Sequence, residues 1–223
     1  MLKLDLHIHS MYSEDAEGSP KELMKIIQKK GLQGMALTDH NTVDGVVHAQ
    51  KHVEKNFIFI PGIEISTKDG HLLALNITEV IPRGLSVEET IDLIIDKGGT
   101  PIVPHVYRNM SGIKLTQLKK IASKLKAIEV FNGCSMPTTN LRMAQTAAAL
   151  HLGGTGGSDS HIPQYAGEAY TTVETTDVSV EGVIQAIHQK KTWGEGTTMP
   201  LDYRQDRMVT SIKQFFQRGL RRI

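Results

Sequence analysis

Two histidines at one strand end are the first residues in this chain whose type and spacing suit chemistry. They lie in Asp5-Leu6-His7-Ile8-His9-Ser10, which closes an apolar stretch. Alternate residues of a strand share a face, so His7 and His9 point the same way, about 7 Å apart. Leu4, Leu6 and Ile8 take the opposite phase, which suits a strand buried on one side. Imidazole nitrogen is a good ligand for zinc, iron or manganese, so the pair suits one divalent cation. An H-x-H taken alone equally describes two half-buried histidines satisfied by backbone groups, so the rest of the chain has to decide.

Other histidines and carboxylates recur at the same kind of place. His40 closes Thr38-Asp39-His40, Glu64 sits in Gly62-Ile63-Glu64-Ile65-Ser66, His105 follows Pro104, and Asp159 and His161 lie in Gly157-Ser158-Asp159-Ser160-His161. Each falls at the carboxyl end of an expected strand. His71 departs from this by opening its strand, next to Gly70. In parallel α/β architectures the carboxyl ends of the strands form one rim, where active sites are built. Residues far apart in sequence would therefore converge on one pocket. Such a cluster supplies charge to neutralise a phosphoryl group, and water bridging two cations loses a proton near neutral pH and attacks phosphorus in line.

The elements that must position these residues alternate along the chain. Strands are expected near Leu4–Ile8, Gln33–Thr38, Phe57–Ile65 (interrupted by Pro61-Gly62), His71–Ile77, Thr100–Pro104, Ala127–Phe131, Ala169–Val173 and Lys191–Glu195. Helices fall between them: one from Ser19-Pro20 to Gly31, one from Asn41-Thr42 to about Lys55, and one opened by Ser86 with Glu89 as a capping box. Leu115–Leu125, Thr138–His151 and Val180–Gln189 complete the set. Turns are short, and no repeat or low-complexity tract interrupts them. Alternation of this kind predicts a parallel sheet flanked by helices; periodicity does not decide between an open sheet and a barrel.

The strings Asp5-Leu6-His7-Ile8-His9-Ser10, Leu37-Thr38-Asp39-His40-Asn41-Thr42, Gly62-Ile63-Glu64-Ile65-Ser66, Pro104-His105 and Gly157-Ser158-Asp159-Ser160-His161 appear in that order over roughly residues 1–195. Together they resemble the PHP (polymerase and histidinol phosphatase) family. The resemblance implies a distorted seven-stranded (β/α) barrel with a C-terminal helix, and a cluster of two or three divalent metal ions (manganese, zinc or iron). His7, His9, Glu64 and Asp159 would hold the first ion. Glu64 would bridge to a second, completed by His71 and His105, while Asp15 (with Glu14 as the alternative), His40 and His161 would hold a third. It further implies a metal-dependent phosphoesterase, with Glu64, Asp159 and His161 in the catalytic roles. A phosphatase for a small nucleotide or sugar phosphate is the leading expectation. The alternatives are a 5′→3′ exonuclease or oligonucleotide phosphatase, and a non-catalytic RNA-binding or polymerase-associated PHP-like subunit. A metal-dependent amidohydrolase also places H-x-H on its first strand, but no bridging lysine can be placed here.

Several residues invite a supporting role. Arg108 is a candidate bidentate grip on substrate phosphate, or else an exposed loop arginine. Asp5 and Asp39 adjoin ligands and could accept the remaining imidazole N–H, or cap turns. Glu129 and Asn132 end a strand and are candidate pocket residues. His48 and His52 share a helix face with no third ligand and read as solvated; His151 and His188 read as structural. Cys134 has no motif around it and reads as a packed side chain. The glycines of Gly153–Gly157 lack the lysine of a P-loop and read as permission for close backbone approach.

At 223 residues with net charge +1, the chain fits one domain of 1–200 followed by a helix over 201–223, with no charge bias toward nucleic acid or membrane. One cysteine and no apolar run of membrane-spanning length suggest a soluble cytoplasmic protein. Arg204, Arg207, Lys213, Arg218, Arg221 and Arg222 make the tail basic, and Ile212, Phe215, Phe216 and Leu220 give it an apolar face. That tail could dock on the barrel, pair with another chain or touch nucleic acid. The oligomeric state is not encoded in any of these patterns.

Overall fold

A computed structural model describes residues 1–217. In chain order the elements are β1 (Leu2–Ile8), α1 (Pro20–Lys29), β2 (Gly34–Leu37), α2 (Asp44–Gln50), β3 (Ile58–Ser66) and β4 (His71–Leu75). There follow α3 (Val87–Asp96), β5 (Thr100–Val103), α4 (Leu115–Ile121), β6 (Ala127–Asn132), α5 (Pro137–Ala149) and β7 (Gly153–Gly157). The chain continues with β8 (Ala169–Val173), α6 (Val180–His188), β9 (Thr192–Gly196) and α7 (Leu201–Gln217). Local chemistry starts the helices where the sequence places them. The Ser19 hydroxyl caps Glu22, and Ser86 and Glu89 form the expected reciprocal box. Two expectations shift: α2 ends at Gln50 rather than near Lys55, and β3 runs unbroken through Pro61-Gly62.

The strands form one sheet in the order β7-β6-β5-β4-β3-β2-β1-β8-β9. It curls until the segment after β7 meets the far side of β1. There the Asp159 amide donates to His7 O at 2.7 Å, and the His9 amide donates to Ser160 O at 3.0 Å. Nine strands replace the expected seven, because the edge of β1 is shared. Its carboxyl half takes the residues after β7, while its amino half pairs antiparallel with β8 through Leu2–Val173, Lys3–Thr172 and Leu4–Thr171. Close approach across this seam depends on the glycine run: a Cβ on Gly157 would lie 2.3 Å from the His7 Cβ.

The sheet is not all parallel. β4 runs antiparallel to both β3 and β5, which puts its amino end at the rim. That reversal accounts for His71, which opens its strand yet faces the same end as the other histidines.

Two apolar layers hold the barrel. The inner one joins Leu4 and Leu6 to Ala36, Ile58, Ile60, Leu73, Leu75, Ile102 and Ala127. Val183, Ile184 and Ile187 of α6 belong to this inner layer, so α6 plugs the end opposite the rim. The outer layer packs α1 to α4 on the sheet through residues such as Leu23, Ile27, Val46, Ile91 and Leu118. Ile8 joins this outer layer, apart from Leu4 and Leu6, and the register of β1 shifts between Asp5 and Ile8. Strict alternation along β1 was therefore too simple an expectation.

Candidate metal centre

All nine expected ligands meet at one rim. His7, His9, Glu64, Asp159, His105 and His161 are each at most 3% exposed, and four groups of at least three donors lie within 4.8 Å of one another. These groups are His7/His9/Glu64, His7/His105/Asp159, His40/Glu64/His71 and His9/His40/His161. β1 delivers His7 and His9, while β3 and the start of β4 deliver Glu64 and His71. A backbone bridge aligns His40 with Glu64.

His9 Nε2 stands 3.3 Å from His7 Nε2, 3.2 Å from Glu64 Oε2 and 3.4 Å from Asp159 Oδ1. His7 Nε2 stands 3.4 Å from Glu64 Oε2 and 3.5 Å from Asp159 Oδ1. Donors bound at about 2.0–2.2 Å around one tetrahedral cation stand roughly 3.3–3.6 Å apart, so this set has the right span to enclose an ion. Glu64 splits its two oxygens between neighbours. Oε2 faces His7, His9 and His40, and Oε1 lies 3.0 Å from both His71 Nδ1 and His105 Nε2. A carboxylate shared between two cations needs this division. Asp15 stands 3.4 Å from His161 Nε2 and 3.8 Å from His40 Nε2, at the edge of the cluster. The His105 Nδ1 atom is buried without a hydrogen-bond partner among the described residues. Donor chemistry, spacing and burial together fit divalent metal.

Electrostatics point the same way. Burial opposes charge on every group here. The Arg108 and His7 cations nevertheless hold Asp159 well below the usual carboxylate range, and His71 and His7 do the same for Glu64. Burial lowers His7 and His9, but the carboxylates around them win, raising His7 well above its ordinary value and His9 to about 9. Burial wins at His40, pushed well down, and at His105, pushed to about 4 with help from Arg108. Protons on His7 and His9 thus supply the positive charge that buried carboxylates require, and a bound cation would take over that role.

Two candidate ligands carry backbone strain. His105 has φ +30° and Asp159 has φ +54°, in the left-handed region that side chains avoid at a cost of about 1–3 kcal/mol each. Hydrogen bonds pin both: the His105 amide donates to Glu129 Oε2 at 3.0 Å, and the Asp159 amide to His7 O at 2.7 Å.

The supporting residues sort differently from expectation. Asp5 accepts the backbone amides of His7, Ser158 and Gly167 and touches no imidazole; burial raises its carboxyl to about 6. The carboxylate that meets an imidazole is Glu129, 2.9 Å from His7 Nδ1. Asn132 bridges Glu129 and Asp159 through its amide, at 2.9 and 3.1 Å. Asp39 acts through hydroxyls, accepting from Ser10 and Ser13, and Ser13 stands 3.3 Å from His9 Nδ1. Ser13 was not legible as a site residue; a serine in a polar turn four positions after a ligand is an ordinary turn residue. Arg108 is no loose surface arginine. Its guanidinium lies 2.5 Å from Asp159 Oδ2 and 3.1 Å from Asn132 Oδ1, with about a third of the side chain (32%) exposed at the mouth.

The remaining expectations resolve simply. His48 and His52 are exposed, His48 stacking on Tyr12, and His188 bonds Thr100. His151 is exposed at the end of α5. Cys134 packs behind Asp159, its Sγ 3.3 Å from Asp159 O and 3.4 Å from Met199 Sδ. The start of α7 docks beside the rim, where Arg204 donates to Ser135 O at 2.9 Å and Tyr203 packs on Tyr165. Ile212 and Phe216 are exposed. Arg218, Leu220, Arg221 and Arg222 lie outside the described residues, as do the side chains of Arg207 and Phe215. No described helix is long and apolar enough to cross a membrane.

A family model for the PHP domain matches residues 5–190. The uncharacterized protein MJ1587 of Methanocaldococcus jannaschii is 38% identical over 146 residues, covering 59% of this chain and 82% of that relative. A 5'-3' exoribonuclease of Haemophilus influenzae is 37% identical over 86 residues, covering 36% of this chain and 31% of that enzyme. In fold, the chain is similar to a two-domain protein of Bacteroides vulgatus containing a predicted PHP-like metal-dependent phosphoesterase. The TM-score is 0.75 at 21% identity, covering 88% of this chain and 65% of that one.

Proposed function

Since this chain belongs to the PHP domain family, we propose that it is a metal-dependent phosphoesterase that hydrolyses small phosphomonoesters of the nucleotide or sugar phosphate type. One observation carries the reading. Glu64 places both oxygens among five imidazoles, beside Asp159 and close to a partly exposed arginine.

In this reading His7, His9, Glu64 and Asp159 hold one divalent cation, and Glu64 shares a second with His71 and His105. Asp15, His40 and His161 hold a third. When bound, such ions neutralise phosphoryl charge and acidify water. The chain's own groups do the positioning. Glu64 and Asp159 stay ionised at neutral pH, so they retain the negative charge that fixes cations in place. Glu129 and Asn132 hold His7 and Asp159 in orientation. Arg108 uses one nitrogen on Asp159 and Asn132, leaving the rest of its fork toward the mouth, where a phosphate oxygen fits. His161, with Asp15 behind it, stands at the edge where a departing oxygen needs charge stabilisation.

A second reading, 5′→3′ removal of nucleotides from an oligonucleotide, is supported by the partial match to the exoribonuclease and by Arg204 at the start of α7, seated beside the rim. A scaffold without chemistry has no need for nine competent ligands, which counts against a purely binding role. Manganese, zinc and iron all suit the donors. A panel of aryl phosphate, nucleoside mono- and bisphosphates and short single-stranded RNA, each with manganese and with chelator, tests these readings. Turnover of the monoesters alone supports the phosphatase, and turnover of RNA alone supports the exonuclease. Turnover of none, in protein shown to carry metal, overturns both.

A further inference from the structure

Ser13 lies in the turn between β1 and α1 and is 3% exposed, close beside the cluster. Three polar atoms converge on its hydroxyl. Its O–H donates to Asp39 Oδ1 at 3.0 Å, the His40 amide donates to it at 3.0 Å, and His9 Nδ1 lies 3.3 Å away.

A hydroxyl offers one proton and two lone pairs. Asp39 Oδ1 already accepts the Ser10 amide at 2.6 Å and so acts as an acceptor, which commits the serine proton to it. The backbone N–H of His40 can only donate, which takes one lone pair. A single lone pair remains, and it faces His9 Nδ1. That nitrogen must therefore carry a proton, so a neutral His9, the form that ligates a cation, presents its Nε2 lone pair toward His7, Glu64 and Asp159. Asp39 cannot easily rotate away from this arrangement. It also accepts from the Ser10 amide at 2.6 Å and the Ser10 hydroxyl at 2.7 Å, and a Cβ on Gly45 of α2 would stand 2.2 Å from its Oδ2.

We propose that Ser13 is a positioning residue of the metal centre, holding His9 in the Nδ1–H tautomer so that Nε2 faces the cation position. His7 receives the same service from a carboxylate, Glu129; His9 receives it from a hydroxyl whose own proton is fixed by Asp39. Through the His40 amide the same oxygen ties the turn that carries Asp15 to the strand end that carries His40. One small side chain thus couples the shared group to the outermost one.

The inference rests on the cation-binding part of the proposed function and not on hydrolysis. The probe is Zn²⁺, which is diamagnetic. In zinc-loaded protein, long-range ¹⁵N–¹H correlation should show His9 protonated at Nδ1 with Nε2 ligated. Ser13→Ala should weaken Zn²⁺ binding, measured against a chromophoric chelator, by about 10–100-fold, the usual loss when a ligand's orienting partner is removed. Ser13→Thr, which keeps the hydroxyl, should restore most of it. Wild-type protein with His9 ligated through Nδ1 overturns the inference without recourse to any variant. So does Ser13→Ala protein that melts earlier yet keeps both the Zn²⁺ affinity and the Nδ1–H signal, since that describes a turn anchor alone. Zinc bound with the expected tautomer, but no ester hydrolysed, would sink the phosphoesterase reading and leave this one standing.

Discussion

Glu64 is the residue on which the site turns, because its two oxygens divide between two sets of imidazoles. Glu64→Gln keeps the shape and removes the shared charge, so its rate should fall by about 10³-fold or more, beyond the loss from removing one stabilising donor. Asp15→Asn touches only the edge of the cluster and should cost less. Equal losses in two folded variants would place the bridge elsewhere. The histidines make a second claim at this scale. In cation-free protein His9 is raised to about 9 and His7 is raised well above its ordinary value, so protons on them stabilise the fold. That contribution is complete below an unfolded value of about 6.5 and is lost as pH rises through about 9. With chelator the melting temperature should therefore fall between those pH values. With bound cation the trend should reverse, because ligands must shed protons to bind. Parallel slopes in both states would contradict the charge balance described here.

At the scale of elements, the sequence was most informative where a motif coincides with a strand end. His7, His9, His40, Glu64, His105, Asp159 and His161 were all legible in that way, and the capping serines located α1 and α3. Hydrogen-bond direction was not legible. Asp5 and Glu129 are both acidic residues near ligands, yet only tertiary structure decides that Asp5 ties backbone amides and Glu129 meets His7. Strand direction was hidden as well: His71 looked misplaced until β4 proved antiparallel. The extra strands arise because β8 pairs with the amino half of β1, an arrangement that short alternating segments do not announce. The glycines of β7 are explained by packing, which makes a prediction. Gly157→Ala puts a methyl 2.3 Å from the His7 Cβ and should destabilise the fold by about 1–3 kcal/mol, read as an earlier melting transition, while displacing a ligand. An unchanged melting temperature together with full zinc affinity would show that the seam between β7 and β1 has slack.

The described residues form a barrel plugged at one end by α6, with the candidate metal centre at the other end. The segment entering α7 lies beside it, held by Met199, Tyr203 and Arg204. The groups around the cluster are polar and offer little apolar wall to bury a small ligand, so selectivity among monoesters should be weak. If the basic tail supplies attraction for longer or doubly phosphorylated substrates, truncation after Pro200 should raise their KM more than that of an aryl phosphate. Uniform loss with a lower melting temperature would instead mark α7 as a structural cover for Cys134 and Ser135.

The central claim is that one rim holds several cations which hydrolysis requires. Elemental analysis of protein from metal-replete medium, paired with turnover of an aryl phosphate before and after chelation, tests it most directly. The account predicts about two or more divalent ions per chain, as a carboxylate-bridged site implies, with activity lost to chelator and restored by manganese or zinc. Less than about one ion per chain, together with no activity on reconstitution, would contradict it.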